Sequence, residues 1–122
     1  MLADKKLKAF VPTTNADSAR AFYRDILGLT LLSEDEYALE FDANGTLLRV
    51  AIVPSLTPQG FTILGWNVPD IYATIQSLNK KGIECNQYDF LEQDDSGVWK
   101  SPGGSKVAWF KDPDGNLLSL TE

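Results

Sequence analysis

Apolar positions along the chain recur with two periods. Residues 7–13 are apolar with alternation and predict a first strand. Beyond them, Ala19, Phe22, Tyr23 and Ile26 fall at i, i+3, i+4 and i+7, one face of a helix. Asn15 suits the N-cap of that helix, Asp17 its first turn and Gly28 its C-terminal cap. Phe22 and Tyr23 read as core residues. Residues 29–32 predict a short strand, 33–36 an acidic solvated bend and 37–41 an alternating third strand. Asn44-Gly45 is a hairpin signal leading into a fourth strand over 46–53, apolar except for Arg49. Near-continuous apolarity suits a sheet covered on both faces. An arginine inside it needs a partner, a wet cavity, or a rim position from which it snorkels to water.

The same order then recurs. The loop 54–60 leads to a strand over 61–68. Pro69 and Asp70 open a second helix carrying Ile71, Ile75 and Leu78 on one face, with Lys80, Lys81 and Gly82 at its end. A short strand is expected over 83–87, a mobile loop over 88–98, a strand fragment over 98–100 and a turn at Pro102-Gly103-Gly104. The chain closes with two apolar runs, 107–110 and 117–120, flanking Asp112-Pro113-Asp114-Gly115. There Asp caps a tight turn, Pro pre-sets the backbone and Gly closes it. Gly45-Thr-Leu-Leu and Gly115-Asn-Leu-Leu match in form, as do Val11-Pro12-Thr13 and Val68-Pro69-Asp70 ahead of the two helices. Two fused βαβββ modules follow, over 1–54 and 61–122 of a single 122-residue domain. The fold class is α+β.

Composition narrows the chemistry. Hydrophobic residues make 43% and charged residues 23%, as in ordinary globular proteins. A net charge of −6 and a pI near 4.5 disfavour nucleic acid and anionic membranes as partners. No apolar run approaches the roughly 20 residues of a membrane span, and the first residues lack the core of a signal peptide. The single cysteine, Cys85, provides no disulfide framework, so a reducing cytoplasmic setting is expected. The chain has no histidine. That removes Ser-His-Asp and Cys-His arrangements and every His-bearing zinc or iron site. Glu92, Asp94 and Asp95 lack the spacing of an EF-hand. The glycines at 103 and 104 belong to no phosphate loop.

Three stretches together carry a family resemblance: Ala19-Arg20-Ala21-Phe22-Tyr23-Arg24-Asp25-Ile26-Leu27-Gly28-Leu29, Trp66-Asn67-Val68-Pro69-Asp70-Ile71 and Phe110-Lys111-Asp112-Pro113-Asp114-Gly115-Asn116. With them the chain resembles, over nearly its whole length, the vicinal oxygen chelate superfamily of glyoxalase I, bleomycin resistance proteins and extradiol dioxygenases. The resemblance implies paired βαβββ modules whose curved sheets enclose a pocket, with helices outside. It also implies a homodimer, sometimes with modules exchanged. Enzymes of that family hold a divalent metal on strand positions that fall here at Lys8, Arg49, Ile63 and Ser119. None of the four supplies a carboxylate or an imidazole, so no metal and no other cofactor is expected. A carboxylate-only site using Glu40 and the acidic loop is the remaining metal alternative.

Strand alternation then sorts the faces. If Arg49 points into the pocket, Leu47 and Ala51 join it, while Leu48, Val50 and Ile52 face the helices. By the same argument Lys8, Phe10, Ile63, Gly65, Asn67, Leu117, Ser119 and Thr121 line it. Trp99 is the expected ligand wall, and Trp66 and Trp109 are expected in the core. Two functions fit. One is a metal-free protein that sequesters a small molecule, as bleomycin resistance proteins do, bound through Lys8, Phe10, Arg49, Ala51, Ile63, Gly65, Asn67, Trp99 and Ser119. The other is an enzyme without a His-bound metal. In it Lys8 or Arg49 steadies an oxyanion and Glu40, Tyr23 or Tyr37 moves a proton. A module with a purely structural or regulatory role is the third reading. The acidic surface suits a cationic drug and the two basic groups an anionic one, so bleomycin itself is not singled out.

Overall fold

The computed structural model describes residues 1–122, which divide into two compact units, Met1–Thr57 and Pro58–Glu122. In the first unit, β1 (Lys8–Thr13) leads to α1 (Ala16–Arg20). The Asn15 side chain caps α1 by accepting from the Ser18 N–H at 3.0 Å. The helix then widens into a π-helical turn, Ala21–Ile26, in which the Leu27 N–H donates to the Phe22 carbonyl. Helical periodicity predicts one continuous α-helix here. The wider turn instead lets consecutive Phe22 and Tyr23 both be buried, ring against ring at 5.1 Å. Arg20 grips Glu34 with two hydrogen bonds and so ties the helix to β2 (Thr30–Glu34).

The remaining strands, β3 (Ala38–Ala43) and β4 (Thr46–Ile52), are joined by Asn44-Gly45. Both turn residues have positive φ, as a type I′ turn requires. The sheet order is β1-β4-β3-β2, with β1 parallel to β4 and the other pairs antiparallel. Register places Val11, Val50 and Leu39 in one row and Leu48 and Phe41 in the next. All five are at most 1% exposed, and Tyr23 meets Phe41 at 5.9 Å, so this face packs under the helix.

The second unit repeats the plan. It comprises β5 (Thr62–Asn67), α2 (Ile71–Lys80), β6 (Trp99–Lys100), β7 (Lys106–Lys111) and β8 (Leu117–Thr121), in the order β5-β8-β7-β6. Asp70 caps α2 through the Ala73 N–H at 3.1 Å. Ile71, Ile75 and Leu78 of α2 are buried, as are Ala108, Phe110, Leu118 and Leu120 of the sheet. One expectation fails here. Residues 83–87 form no strand; the Asn86 carbonyl accepts from Gln93 Nε2 at 2.9 Å in place of a neighbouring strand. The stretch expected to be a loop is one, and side-chain hydrogen bonds run through it. Gln93 accepts from the Tyr88 N–H and donates to the Gly97 carbonyl, and Asp94 Oδ1 accepts from Ser96 and Val98.

The hairpin β7–β8 is built on a buried carboxylate. Asp112 is 6% exposed. Its Oδ1 accepts from the N–H groups of Asp114 and Asn116, and its Oδ2 from Asn116 Nδ2 at 2.9 Å. Asp112→Ala removes the acceptor of three hydrogen bonds and is expected to cost about 2–3 kcal/mol in urea denaturation. Asp95→Ala, at an exposed loop position, is expected to stay within about 0.5 kcal/mol.

Candidate functional site

The sheet face opposite each helix carries the chemistry. In the first unit, register aligns Phe10, Arg49 and Glu40 across three adjacent strands, with Lys8 in the neighbouring row beside Leu47 and Asp42. Arg49 Nη1 donates to Glu40 Oε2 at 3.0 Å, and Lys8 Nζ lies 3.4 Å from the same oxygen. Lys8 also sits 5.8 Å above the Phe10 ring, a ring 60% exposed. The partner that an arginine in an apolar strand requires is therefore Glu40. Two cations and one carboxylate leave a single net positive charge. The Arg49 hydrogen bond, aided by Lys8, holds the Glu40 carboxyl below its ordinary range despite opposing desolvation. Ala51 shares this face, opposite Ala38. Of the two tyrosines considered for proton transfer, Tyr23 is 1% exposed in the core and Tyr37 is 66% exposed.

In the second unit the corresponding face is aromatic. Gly65, Ser119 and Trp109 form one row, and Asn67, Thr121, Val107 and Trp99 the next. Trp99 and Trp109 lie 6.1 Å apart, and Tyr88 meets Trp109 edge-on at 5.8 Å. Phe90, 80% exposed, extends the row at 5.3 Å from Tyr88. Trp109 is thus no core residue. It is half-buried, with its indole N–H donating to Thr62 Oγ1 at 3.1 Å. Trp66, also expected in the core, is half-buried on edge strand β5. A Cβ at position 65 would lie 2.5 Å from Ser119 Oγ, so any larger residue there would have to turn that hydroxyl aside. Simple alternation along β5 breaks at a bulge between Thr62 and Leu64. Thr62 pairs with Leu117, and Ile63 is the extra residue. Apolarity alone misses Tyr88, Phe90 and Trp109; the β7–β8 register, with Trp109 opposite Ser119, is the signal that finds Trp109.

No three His, Cys, Asp or Glu side chains converge on a point that would hold a metal. Glu92, Asp94 and Asp95 form no such group, and Asp94 spends its carboxylate on its own loop and on the Tyr72 hydroxyl. Cys85 is half-buried, and burial pushes its thiol up to about 11.

The sequence matches the model of the Glyoxalase/Bleomycin resistance protein/Dioxygenase superfamily over residues 7–120. The chain belongs to this superfamily. Solved superfamily structures share its fold at low identity. A member from Sphaerobacter thermophilus DSM 20745 superposes with a TM-score of 0.76 at 20% identity, covering 100% of this chain and 99% of that one. The bleomycin resistance determinant encoded on transposon Tn5 gives 0.76 at 21% identity, with 97% of each chain covered. Lactoylglutathione lyase from Agrobacterium tumefaciens gives 0.75 at 17% identity, covering 98% and 93%. A search of curated proteins returns no match. Proteins of this fold thus include both a bleomycin resistance determinant and a lactoylglutathione lyase, so function is argued from the site and not from the fold.

Two outcomes are expected. Glu40 has a lowered carboxyl in the folded protein, so its contribution to stability is present above the ordinary carboxylate range and is lost as pH falls through the folded value. In urea titrations the stability gap between wild type and Glu40→Gln should therefore be widest near neutrality and shrink progressively once pH falls below the ordinary carboxylate range. A gap independent of pH would remove Glu40 from the ion cluster. Cys85 in the folded protein should react with a disulfide reagent at pH 8 on the order of a hundredfold more slowly than after unfolding, read by thiol absorbance.

Proposed function

We propose that this chain is a metal-free small-molecule-binding protein of the superfamily, of the kind that sequesters its ligand. One observation supports the reading: Lys8 and Arg49, on the strand positions where the family resemblance implies metal ligands, are both tied to Glu40. An ammonium and a guanidinium have no lone pair to offer a divalent cation. Ile63 has no donor, and Ser119 alone is a weak one. The residues present do not fit the metal, and no step is drawn through one.

What the faces offer instead is recognition. In the first unit, Lys8, Arg49 and Phe10 present a cation pair and a ring, with Ala51 on the same face. In the second unit, Trp99 offers stacking surface, and Gly65, Asn67 and Ser119 supply a close backbone and hydrogen-bonding groups, with Ile63 on the same strand β5. The competing reading, an enzyme working without a His-bound metal, lacks a suitable base. The lowered carboxyl of Glu40 makes it a weak proton acceptor at neutral pH, and Tyr23 is enclosed by the core. The proposal includes a homodimer, as the family resemblance implies, in a reducing cytoplasm, with no nucleic-acid or membrane partner. The single cysteine supports the setting and the acidic net charge the lack of those partners. No helix is long and apolar enough to cross a membrane.

The test is native mass spectrometry of gently purified protein, with metal content read in parallel. A metal-free dimer carrying an organic adduct is expected. Arg49→Ala should lower adduct occupancy about tenfold while leaving the circular dichroism spectrum unchanged. One tightly bound transition metal per chain would overturn the reading.

A further inference from the structure

A pocket of about 230 Å³ opens in the second unit, between the loop that enters β5 and the β7–β8 hairpin. Pro58, Gly60 and Leu117 supply apolar and backbone wall, and Asn86, Tyr88 and Lys111 the polar groups. The volume lies below the roughly 300–1,000 Å³ of drug-sized sites, so its occupant is small.

Each polar group is set for a ligand. Lys111 ends β7, opposite Leu117, and makes no ion pair. The nearest carboxylate in sequence, Asp112, turns both oxygens into its own hairpin. The Tyr88 hydroxyl accepts from Asn86 Nδ2 at 3.1 Å, which leaves its own proton for a second partner. Tyr88 is also held in place: its N–H donates to Gln93 Oε1 at 2.7 Å and its ring packs against Trp109 and Phe90. Asn86 is fixed by its own N–H, which donates to the Trp109 carbonyl at 2.7 Å. Pro58 covers the hairpin by lying on Gly115, where a Cβ would stand 3.1 Å from its Cγ. An ammonium and a hydroxyl donor thus stand beside an apolar wall.

We propose that this pocket binds the carboxylate or phosphate of a small organic anion whose short apolar body rests on Pro58 and Leu117. Lys111 pairs with the charge and the Tyr88 hydroxyl donates to it. Lys8, Arg49 and Trp99 do not contribute to it, while Tyr88 joins it to the aromatic face through Trp109.

Amide NMR titration of the full chain tests it, with benzoate, phenyl phosphate and benzamide as probes. Benzoate or phenyl phosphate should shift the Gly60, Tyr88, Lys111 and Gly115 amides saturably, and the tighter of the two names the anion. Neutral benzamide should leave them in place at equal concentration. Lys111→Met should weaken the anion about tenfold or more, and Tyr88→Phe about three- to fivefold, with spectra otherwise dispersed as in wild type. Lys111 is exposed, and Tyr88→Phe keeps the ring, so at least one variant reads binding in a folded chain. Equal shifts with benzamide, no saturable shift with either anion, or an affinity unchanged by both substitutions would overturn the proposal.

Discussion

Strand β4 is hydrogen-bonded along both edges, to β1 and to β3, so each of its side chains must point to one of two faces. Leu48 and Val50 take the helix side and are buried. Arg49, between them, is forced to the other. A guanidinium on a half-buried sheet face needs a countercharge, and the antiparallel register with β3 delivers Glu40 directly opposite. The parallel register with β1 then brings Lys8 to the same carboxylate oxygen. The ion cluster is thus a consequence of backbone pairing, and its charge balance follows from which residues share a face.

The second unit meets the same constraint with different chemistry. Strand β8 is likewise paired on both sides, and beyond Leu117 its outward positions are small: Ser119 and Thr121. Small side chains there leave room for the large ones of neighbouring β7 and β6, Trp109 and Trp99. Gly65 on the other side completes a row in which one side chain is bulky and two are minimal. Where the first unit presents charge, the second presents rings. A pair of duplicated modules can therefore diverge in ligand preference through a few outward positions while the helix-facing positions stay apolar.

Much of this was legible beforehand because it is local. The caps Asn15 and Asp70, the Asn44-Gly45 and Asp112–Gly115 turns and the apolar helix stripes each depend on residues within a few positions of one another. Two features depart from local pattern where that condition fails. Trp66 and Trp109 are half-buried, because hydrophobicity does not encode which face of a strand a ring occupies. Period-two alternation groups Ile63 with Gly65 and does not foresee the bulge between Thr62 and Leu64. The π-helical turn and the hydrogen-bonded loop around Gln93 lie beyond periodicity for a related reason: both answer to packing and to side-chain acceptors, not to propensity.

The amino-acid sequence by itself determined the two-module plan, the superfamily and the lack of any histidine to ligate a metal, since repeats, turns and residue types are properties of the chain alone. Only the tertiary structure decided that Arg49 and Lys8 share Glu40, that Trp109 joins Trp99 and Tyr88, and that Lys111 stands beside a pocket without a countercharge. Those neighbours come from strands and loops separated by many residues. Which atoms meet is set by register, a bulge and side-chain direction, and these exist only once the sheets have formed.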